Sequence, residues 1–183
     1  MRLAVESWQD AVCESGDTAT LREWLADGRP LIVRRPCLTG DGRYACLGLA
    51  LPGKRRLAYR VPVARVLSIE PPPLAQGIDF SVPGFELRLF GSHAWQRLTG
   101  LSYVTETSDI DLLLDLSTLE EWRTWLSRAV ALPSTPQVDL EIVIRGDASF
   151  SWREYLGPAH DILIKSNRSV ELVPKDHLTA FFP

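Results

Sequence analysis

Two aspartates, Asp109 and Asp111, are separated by one apolar residue at the start of an apolar run. In a β-strand, residues two apart project from the same face, so both carboxylates would point to one side while Ile110 turns into the core. Two like charges held side by side repel each other, and a divalent cation is the simplest way to offset that repulsion. Ligands that are all oxygen favour Mg²⁺ or Mn²⁺ over zinc. The triplet therefore predicts a metal site, and the alternative is a solvated carboxylate pair at the start of a strand.

A Gly-Ser pair, Gly91-Ser92, precedes the aspartates at a point where a predicted strand passes into a predicted helix. Glycine lets the backbone approach a ligand closely, and the first amides of a helix point outward. Together with the Ser92 hydroxyl, these amides would form a seat for a phosphate group. The alternative is that Ser92 only caps the helix.

A third carboxylate is available on a later predicted strand, where Asp139 and Glu141 share one face. If the two strands are neighbours, either residue would complete a cage of three carboxylates for one or two metal ions. Such cages support in-line displacement at phosphorus, with pyrophosphate as the leaving group. Lys165, at the end of another apolar strand, would then bind a phosphate, or it is a solvated lysine at a strand end.

The elements that must position these residues differ between the two halves of the chain. The first half predicts a short helix over residues 18–26 and a small antiparallel sheet with strands at 31–33, 44–51 and 57–61. Three prolines at 71–73 cannot continue a helix or a central strand. They predict a boundary between an N-terminal basic β-rich domain, residues 1–73, and a C-terminal domain, residues 74–183.

The second half alternates strands and helices, which indicates a mixed sheet and, for the whole chain, the α+β class. Its predicted strands cover residues 85–90, 110–116, 138–144, 162–165 and 170–173. Its predicted helices cover residues 92–98, 119–131 and 152–156. Tryptophans on these helices have spacings that favour core packing over stacking on a nucleobase, and they are Trp95, Trp122, Trp125 and Trp152.

The charge of the chain is unevenly distributed. Its 20 basic and 23 acidic side chains give a net charge of −3, which offers no argument for a nucleic-acid or membrane partner. Residues 29–65, however, contain nine basic residues and one acidic residue, whereas residues 91–183 contain eight basic and thirteen acidic residues. We expect a basic N-terminal sheet that receives an anionic ligand or an acidic protein.

Composition excludes several classes of protein. With 45% hydrophobic and 23% charged residues, the chain is not predominantly disordered. Its three cysteines, Cys13, Cys37 and Cys46, form no C-x-x-C pair, which argues against a disulfide framework and a structural zinc site. No apolar leader and no window of 18 apolar residues is present, so we expect neither export nor a membrane span and predict a cytoplasmic protein.

The run FGSHAWQRLTGLSYVTETSDIDLLLDL, residues 90–116, carries the pattern of a known family. Gly-Ser, then Asp-x-Asp, then a lone acidic residue resembles the nucleotidyltransferase superfamily related to DNA polymerase β. More narrowly, the run resembles the malonate decarboxylase holo-acyl-carrier-protein synthases, also called phosphoribosyl-dephospho-CoA transferases. Further positions that match this narrower pattern are Trp95-Gln96, residues 98–101, Ser108-Asp109, Trp152-Arg153-Glu154 and Ile164-Lys165.

This resemblance implies a small N-terminal sheet domain and a C-terminal nucleotidyltransferase-like domain. Members of the family transfer phosphoribosyl-dephospho-CoA from 2'-(5''-triphosphoribosyl)-3'-dephospho-CoA to a serine of the apo acyl carrier subunit of malonate decarboxylase, releasing pyrophosphate. By position, Gly91 and Ser92 would hold the triphosphate. Asp109 and Asp111 would bind magnesium, and Asp139 would be the third acidic residue. The family tends to have Asp-Gly-Glu where this chain has Asp-Leu-Glu at residues 139–141.

Two other functions fit the same residues. Nucleotidyl or adenylyl transfer from an ordinary NTP to another acceptor would use the same carboxylates and metal. A non-catalytic module would instead bind an acidic protein partner through the basic residues at 29–65.

Overall fold

The structure is a computed structural model that describes residues 1–3, 5–53, 55–128, 137–166 and 169–182. In these residues the α-helices are α1 (Thr18–Ala26), α2 (Gly91–Thr99), α3 (Leu119–Arg128) and α4 (Trp152–Leu156). The β-strands are β1 (Arg2–Leu3), β2 (Val12–Ser15), β3 (Ile32–Leu38), β4 (Tyr44–Leu51), β5 (Arg55–Pro62), β6 (Val66–Ser68), β7 (Leu87–Leu89), β8 (Ile110–Leu116), β9 (Val138–Ile144), β10 (Ala148–Ser151), β11 (Asp161–Lys165) and β12 (Val170–Pro174). Short 3-10 helices cover Val5–Gln9, Val63–Arg65 and Lys175–Phe181.

The chain forms two compact units. The N-terminal unit contains Met1–Pro71 and Trp95–Tyr103, and the C-terminal unit contains Pro72–Ala94 and Val104–Pro183. The division therefore falls inside α2, whose first four residues belong to the C-terminal unit.

The N-terminal unit is built on an antiparallel sheet with the strand order β2-β5-β4-β3. Helix α1 begins where predicted because the Asp17 carboxylate accepts the Thr20 backbone N–H at 2.7 Å. One face of α1 is buried, and this face contributes Leu21, Trp24 and Leu25 to the same core as strands β4 and β5. The predicted helix and antiparallel sheet are confirmed.

Strand β3 is longer than its sequence predicts. The sequence predicts a strand over residues 31–33, but β3 starts at Ile32 and continues through Pro36 to Leu38. Its pairing with β4 shifts register between Val33 and Leu38, and β3 is at the edge of the sheet. An edge strand with an irregular register tolerates proline, because the missing N–H is not needed for a regular ladder on both sides.

The C-terminal unit contains a mixed sheet with the strand order β12-β11-β10-β9-β8-β7. Strands β8 and β9 are parallel neighbours, and the other neighbouring pairs are antiparallel. A parallel pair needs a crossover connection, and α3 lies in the chain between these two strands. The predicted α+β class is confirmed.

One face of the central strands β8 and β9 is buried. Alternate residues of β8 and β9, such as Leu112 and Leu140, are 0% exposed and pack in the core with the tryptophans of α3 and α4. Trp122, Trp125 and Trp152 are core residues as predicted, whereas the ring of Trp95 packs against the core of the N-terminal unit. The opposite face of the same strands carries the half-buried polar residues described below.

Other predicted elements differ only in length. The strand expected at 85–90 is Leu87–Leu89, since Phe85 closes a turn by donating its N–H to the Val82 carbonyl. Strands β1, β2, β6 and β10 were not predicted from the sequence. The last residues of the helix expected at 119–131 lie outside the described residues. In the part of the chain that the structure describes, no helix is long and apolar enough to cross a membrane.

Candidate active site

Asp111 and Asp139 lie opposite each other on neighbouring parallel strands. They are Cα partners in the register of β8 and β9, and the register starts where the Ile110 N–H donates to the Gln137 carbonyl at 2.8 Å. Because paired residues of a sheet project to the same side, the two carboxylates share one face. The adjacency on which the three-carboxylate hypothesis depended is therefore present.

Position 91 must be glycine because Asp111 lies too close to leave room for a side chain there. A β-carbon added at Gly91 would lie 1.8 Å from Asp111 Oδ2, and the residue has a φ of +59° that side chains other than hydrogen disfavour. The Ser92 backbone N–H donates to the Asp111 carboxylate, and the Phe90 N–H donates to the Asp111 carbonyl at 3.0 Å. The start of α2 and the first aspartate of β8 are thus fixed against each other.

The carboxyl of Asp111 is in an unfavourable electrostatic position. Its pKa is raised to about 6, first because burial disfavours the charged form. The negative charges of Asp139, Asp109 and Glu141 raise this pKa as well, whereas the hydrogen bond from Ser92 lowers it. Carboxylates whose charges oppose one another supply the oxygen ligands that a hard divalent ion takes, and such an ion would offset their repulsion.

The remaining predicted ligand, Asp109, is exposed and precedes β8. Within the described ranges, no three His, Cys, Asp or Glu side chains already converge as a metal-binding group. The residue types and the paired register of Asp111 and Asp139 fit magnesium, and the donor set is all oxygen. Mg²⁺ at this position is taken up below as a proposal.

Glu141 differs from Asp139, although both residues project from the same face of β9. The Lys165 ammonium lies 3.2 Å from Glu141 Oε1, and the Ser149 hydroxyl donates to Glu141 Oε2 at 3.1 Å. Oε2 of Glu141 is therefore engaged by the adjacent strand β10, and Oε1 by β11, which lies one strand further away. Lys165, predicted as a phosphate ligand, lies on the same face of the sheet as the carboxylates.

Arg153 is a site-building residue whose role sequence reasoning did not identify. Its Nε and Nη2 both donate to the Val138 carbonyl, at 3.1 and 2.7 Å. Strand β10 ends at Ser151, opposite Glu141, so the ladder stops before it reaches Val138. The guanidinium supplies donors at that point and fixes the backbone next to Asp139. The only signal in the sequence was the position of Arg153 within the matching triplet at 152–154.

The basic residues of the run 29–65 are largely paired with carboxylates. Glu14, which precedes the run, contacts both Arg34 and Arg60, the latter at 3.2 Å. Other ion pairs are Arg65 with Asp10, Arg29 with Asp27, and Arg43 with Asp41. The surface is therefore less basic than the count over residues 29–65 predicts, because three of these carboxylates come from outside that run.

Exposed basic side chains are found near the turn between β4 and β5. Arg55 and Arg56 are exposed there, and Lys54, which precedes them in the sequence, lies outside the described residues. By sequence, the N-terminal unit contains twelve basic and eight acidic residues, a net charge of +4. The C-terminal unit contains eight basic and fifteen acidic residues, a net charge of −7. The predicted asymmetry of charge is kept at the level of the two units.

Two models of protein families together match almost the whole chain. The phosphoribosyl-dephospho-CoA transferase MdcG N-terminal domain matches residues 3–72, and the MdcG C-terminal domain matches residues 67–176. No solved structure matches the chain.

Curated relatives carry the same description. The phosphoribosyl-dephospho-CoA transferase of Xanthomonas euvesicatoria pv. vesicatoria is 36% identical over 195 aligned residues, covering 92% of this chain and 88% of the relative. The protein of that description from Xanthomonas axonopodis pv. citri is 33% identical, covering 96% of this chain and 91% of the relative. A third, from Bradyrhizobium diazoefficiens, is 30% identical over 78% of this chain and 73% of the relative. The chain therefore belongs to the phosphoribosyl-dephospho-CoA transferases, a family of enzymes.

Proposed function

We propose that this transferase attaches phosphoribosyl-dephospho-CoA to a serine of the apo acyl carrier subunit of malonate decarboxylase. The donor is 2'-(5''-triphosphoribosyl)-3'-dephospho-CoA, and pyrophosphate is released. The serine oxygen forms a bond to the α-phosphorus of the donor, and the bond from that phosphorus to the oxygen of the leaving pyrophosphate breaks. The proposal rests on the family of the chain and on the sequence resemblance of residues 90–116.

The observation that carries the chemistry is the arrangement around Asp111. This carboxylate faces Asp139 in the sheet register and accepts the Ser92 N–H at the start of α2. A helix start next to clustered carboxylates supports the binding of a phosphate group together with a metal ion. The arrangement is therefore suited to displacement at a phosphorus.

Each residue has a defined task in this proposal. Asp109, Asp111 and Asp139 would hold Mg²⁺, which when bound neutralises phosphate charge and lowers the pKa of the attacking hydroxyl. The first turn of α2 at Gly91 and Ser92 holds the triphosphate. Lys165 contacts the pyrophosphate as negative charge develops on it. Asp139, on the neighbouring strand, accepts the proton of the serine hydroxyl.

The acceptor would be recognised by charge. An acyl carrier protein is acidic, and the N-terminal unit has a net charge of +4 with Arg55 and Arg56 exposed. Attraction between opposite charges speeds encounter more than it strengthens the final complex. We therefore propose that the carrier approaches this unit near the turn between β4 and β5.

The direct test uses the intact protein, the triphosphate donor, Mg²⁺ and the apo carrier subunit. Mass spectrometry of the carrier should show an increase equal to one phosphoribosyl-dephospho-CoA group, and the carrier with its serine replaced by alanine should stay unmodified. A parallel reaction with ATP in place of the donor distinguishes adenylyl transfer. Modification with ATP but not with the donor would contradict the proposed substrate, and an unmodified carrier in both reactions would contradict the function.

A further inference from the structure

We propose that Glu141 and Ser149 position the ammonium of Lys165 for the anionic donor, and that Glu141 is not the third metal carboxylate. This inference rests on the proposed function and deepens it. It assigns different tasks to two acidic residues, Asp139 and Glu141, that share one face of one strand.

The path of the Lys165 side chain is set by the strand order. Lys165 on β11 is the direct partner of Ser149 on β10, and Glu141 lies one strand further on, on β9. Neighbouring strands are about 4.8 Å apart, so the lysine must cross a whole strand, roughly 9 to 10 Å, to reach Glu141. A small side chain at position 149 leaves room for this crossing, and a large one would obstruct it.

Lys165 and Ser149 hold the Glu141 carboxylate by both of its oxygens. Lys165 Nζ lies 3.2 Å from Oε1, and the Ser149 hydroxyl donates to Oε2 at 3.1 Å. Ser149 is only 4% exposed, and the side chains of Glu141 and Lys165 are 20% and 35% exposed. A hydrogen bond between charged groups in a partly buried position is stronger than one on the surface. The carboxylate is therefore held as a partner for the cation.

Such a fixed lysine has an advantage over a mobile one. A free lysine side chain has many rotamers, and ordering them opposes ligand binding. Glu141 orders the chain before the ligand arrives, and an ammonium has three N–H donors, of which the contact with Glu141 uses one. The other two donors would serve a ligand on the face of the sheet that carries Asp111 and Asp139.

The same contacts decide between the two candidates for the third carboxylate. Asp139 is the register partner of Asp111, whereas Glu141 is the register partner of Leu113 and is engaged by Lys165 and Ser149. A metal ion at Glu141 would have to displace a lysine cation. The structure therefore assigns Asp139 to the metal and Glu141 to the lysine.

The test compares donor kinetics of Lys165→Ala, Glu141→Gln, Ser149→Ala and the double variant of Lys165 and Glu141. We expect the KM for the donor to rise about tenfold in Lys165→Ala and about three- to fivefold in Glu141→Gln, with the KM for the carrier unchanged. The double variant should be no worse than Lys165→Ala, because Glu141 acts only through the lysine. Asp147→Asn, which removes an exposed carboxylate from the turn after β9, is the matched control and should behave as wild type.

A second measurement needs no turnover. Mg²⁺ should raise the melting temperature of Glu141→Gln as much as that of wild type and should not raise that of Asp139→Asn. Loss of the Mg²⁺ effect in Glu141→Gln, or additive KM effects in the double variant, would overturn the inference. If Glu141→Gln does not fold, Ser149→Ala must still raise the donor KM, and an unchanged KM there overturns it too. A wild type that modifies no carrier contradicts instead the proposed function.

Discussion

Glu14 in the N-terminal unit and Asp111 in the C-terminal unit are both carboxylates on β-strands, but Glu14 is exposed, Asp111 is half-buried, and their electrostatic surroundings are opposite. Glu14 lies between Arg34 and Arg60, so its charge is balanced on both sides. Burial raises the pKa of the Asp111 carboxyl, and the negative charges of Asp139, Asp109 and Glu141 raise it further. The charge of Glu14 is balanced by side chains of the protein itself, whereas the charge of Asp111 is opposed by its neighbours, which is the basis for the metal ion proposed there.

The difference between Glu14 and Asp111 distinguishes charged residues that are balanced within the fold from charged residues that a ligand would balance. In an ion pair between two side chains of the protein, each charge is balanced without a ligand. Like charges that are kept together cost stability, and such clusters with shifted pKa values are concentrated at functional sites. This comparison supports the proposal that the carboxylates of β8 and β9 act in catalysis, whereas Glu14 in the N-terminal unit is balanced by arginines.

The sharpest test of the comparison removes one charge from each region. Asp111→Asn should lower kcat/KM by about a thousandfold or more, because a lost metal ligand removes several kcal/mol of transition-state stabilisation. Glu14→Gln should stay within about twofold of wild type. Steady-state kinetics of carrier modification measures both, and equal losses in the two variants would show that the distinction is wrong.

The second prediction concerns the contact that holds Asp111 in place. Gly91→Ala introduces a β-carbon 1.8 Å from Asp111 Oδ2 and should lower activity about a hundredfold through displacement of the carboxylate. Gly146→Ala is the matched control, because Gly146 also has a positive φ, of +71°, but a β-carbon there meets no atom within 4 Å. The control should cost about 1 kcal/mol of stability from backbone strain and leave turnover intact. Similar activities of the two variants would remove Gly91 from the site.

The third prediction concerns stability in the absence of divalent metal. Because the pKa of Asp111 is raised in the fold from 3.8 to about 6, its protonated form favours folding, and this contribution is lost as pH rises from about 4 through 6. Asp111→Asn should therefore be more stable than wild type at pH 7, by about 1 to 2 kcal/mol after allowance for solvent screening. The gain should shrink towards pH 4. Urea unfolding at both pH values, with a chelator present, measures it, and a pH-independent difference would contradict the electrostatic cause.

The smallest effect is expected at Glu14. Glu14→Gln should destabilise the protein by no more than about 1 kcal/mol, since partly exposed ion pairs contribute little. High salt should weaken the wild type slightly and the variant less. Denaturant titration at low and high ionic strength checks both statements, and a loss of several kcal/mol would mean that Glu14 is a buried structural charge.

Much of the C-terminal sheet could be predicted from the sequence because its pattern is local. In strands β8 and β9, every second residue is buried and those between are half-buried or exposed, and the predicted bounds of both strands match the structure. Strand β10 was missed because four residues of mixed character, Ala148–Ser151, give no clear period. The run through Pro36 was missed because a sequence does not show that β3 is an edge strand.

The contacts that distinguish the carboxylates could not be predicted, because they join distant residues. Lys165 and Glu141 are 24 positions apart and meet only through the order of β9, β10 and β11. Glu14 lies 20 residues before Arg34, so a count over residues 29–65 overlooked it. The sequence was sufficient to predict which half of the chain is basic and which is acidic. The ion pairs that balance individual charges became visible only in the folded structure.

The tryptophans that build the two cores also give each unit its own optical signal. Trp8, Trp24 and Trp95 belong to the N-terminal unit, and Trp122, Trp125 and Trp152 belong to the C-terminal unit. The rings of Trp125 and Trp152 are 5.1 Å apart at an angle of 72°, a geometry that couples their electronic transitions. Near-ultraviolet circular dichroism should therefore report on the packing of the C-terminal core, which contains Trp125 and Trp152. Replacing the N-terminal tryptophans with phenylalanine would leave a fluorescence signal that reports on the C-terminal unit alone.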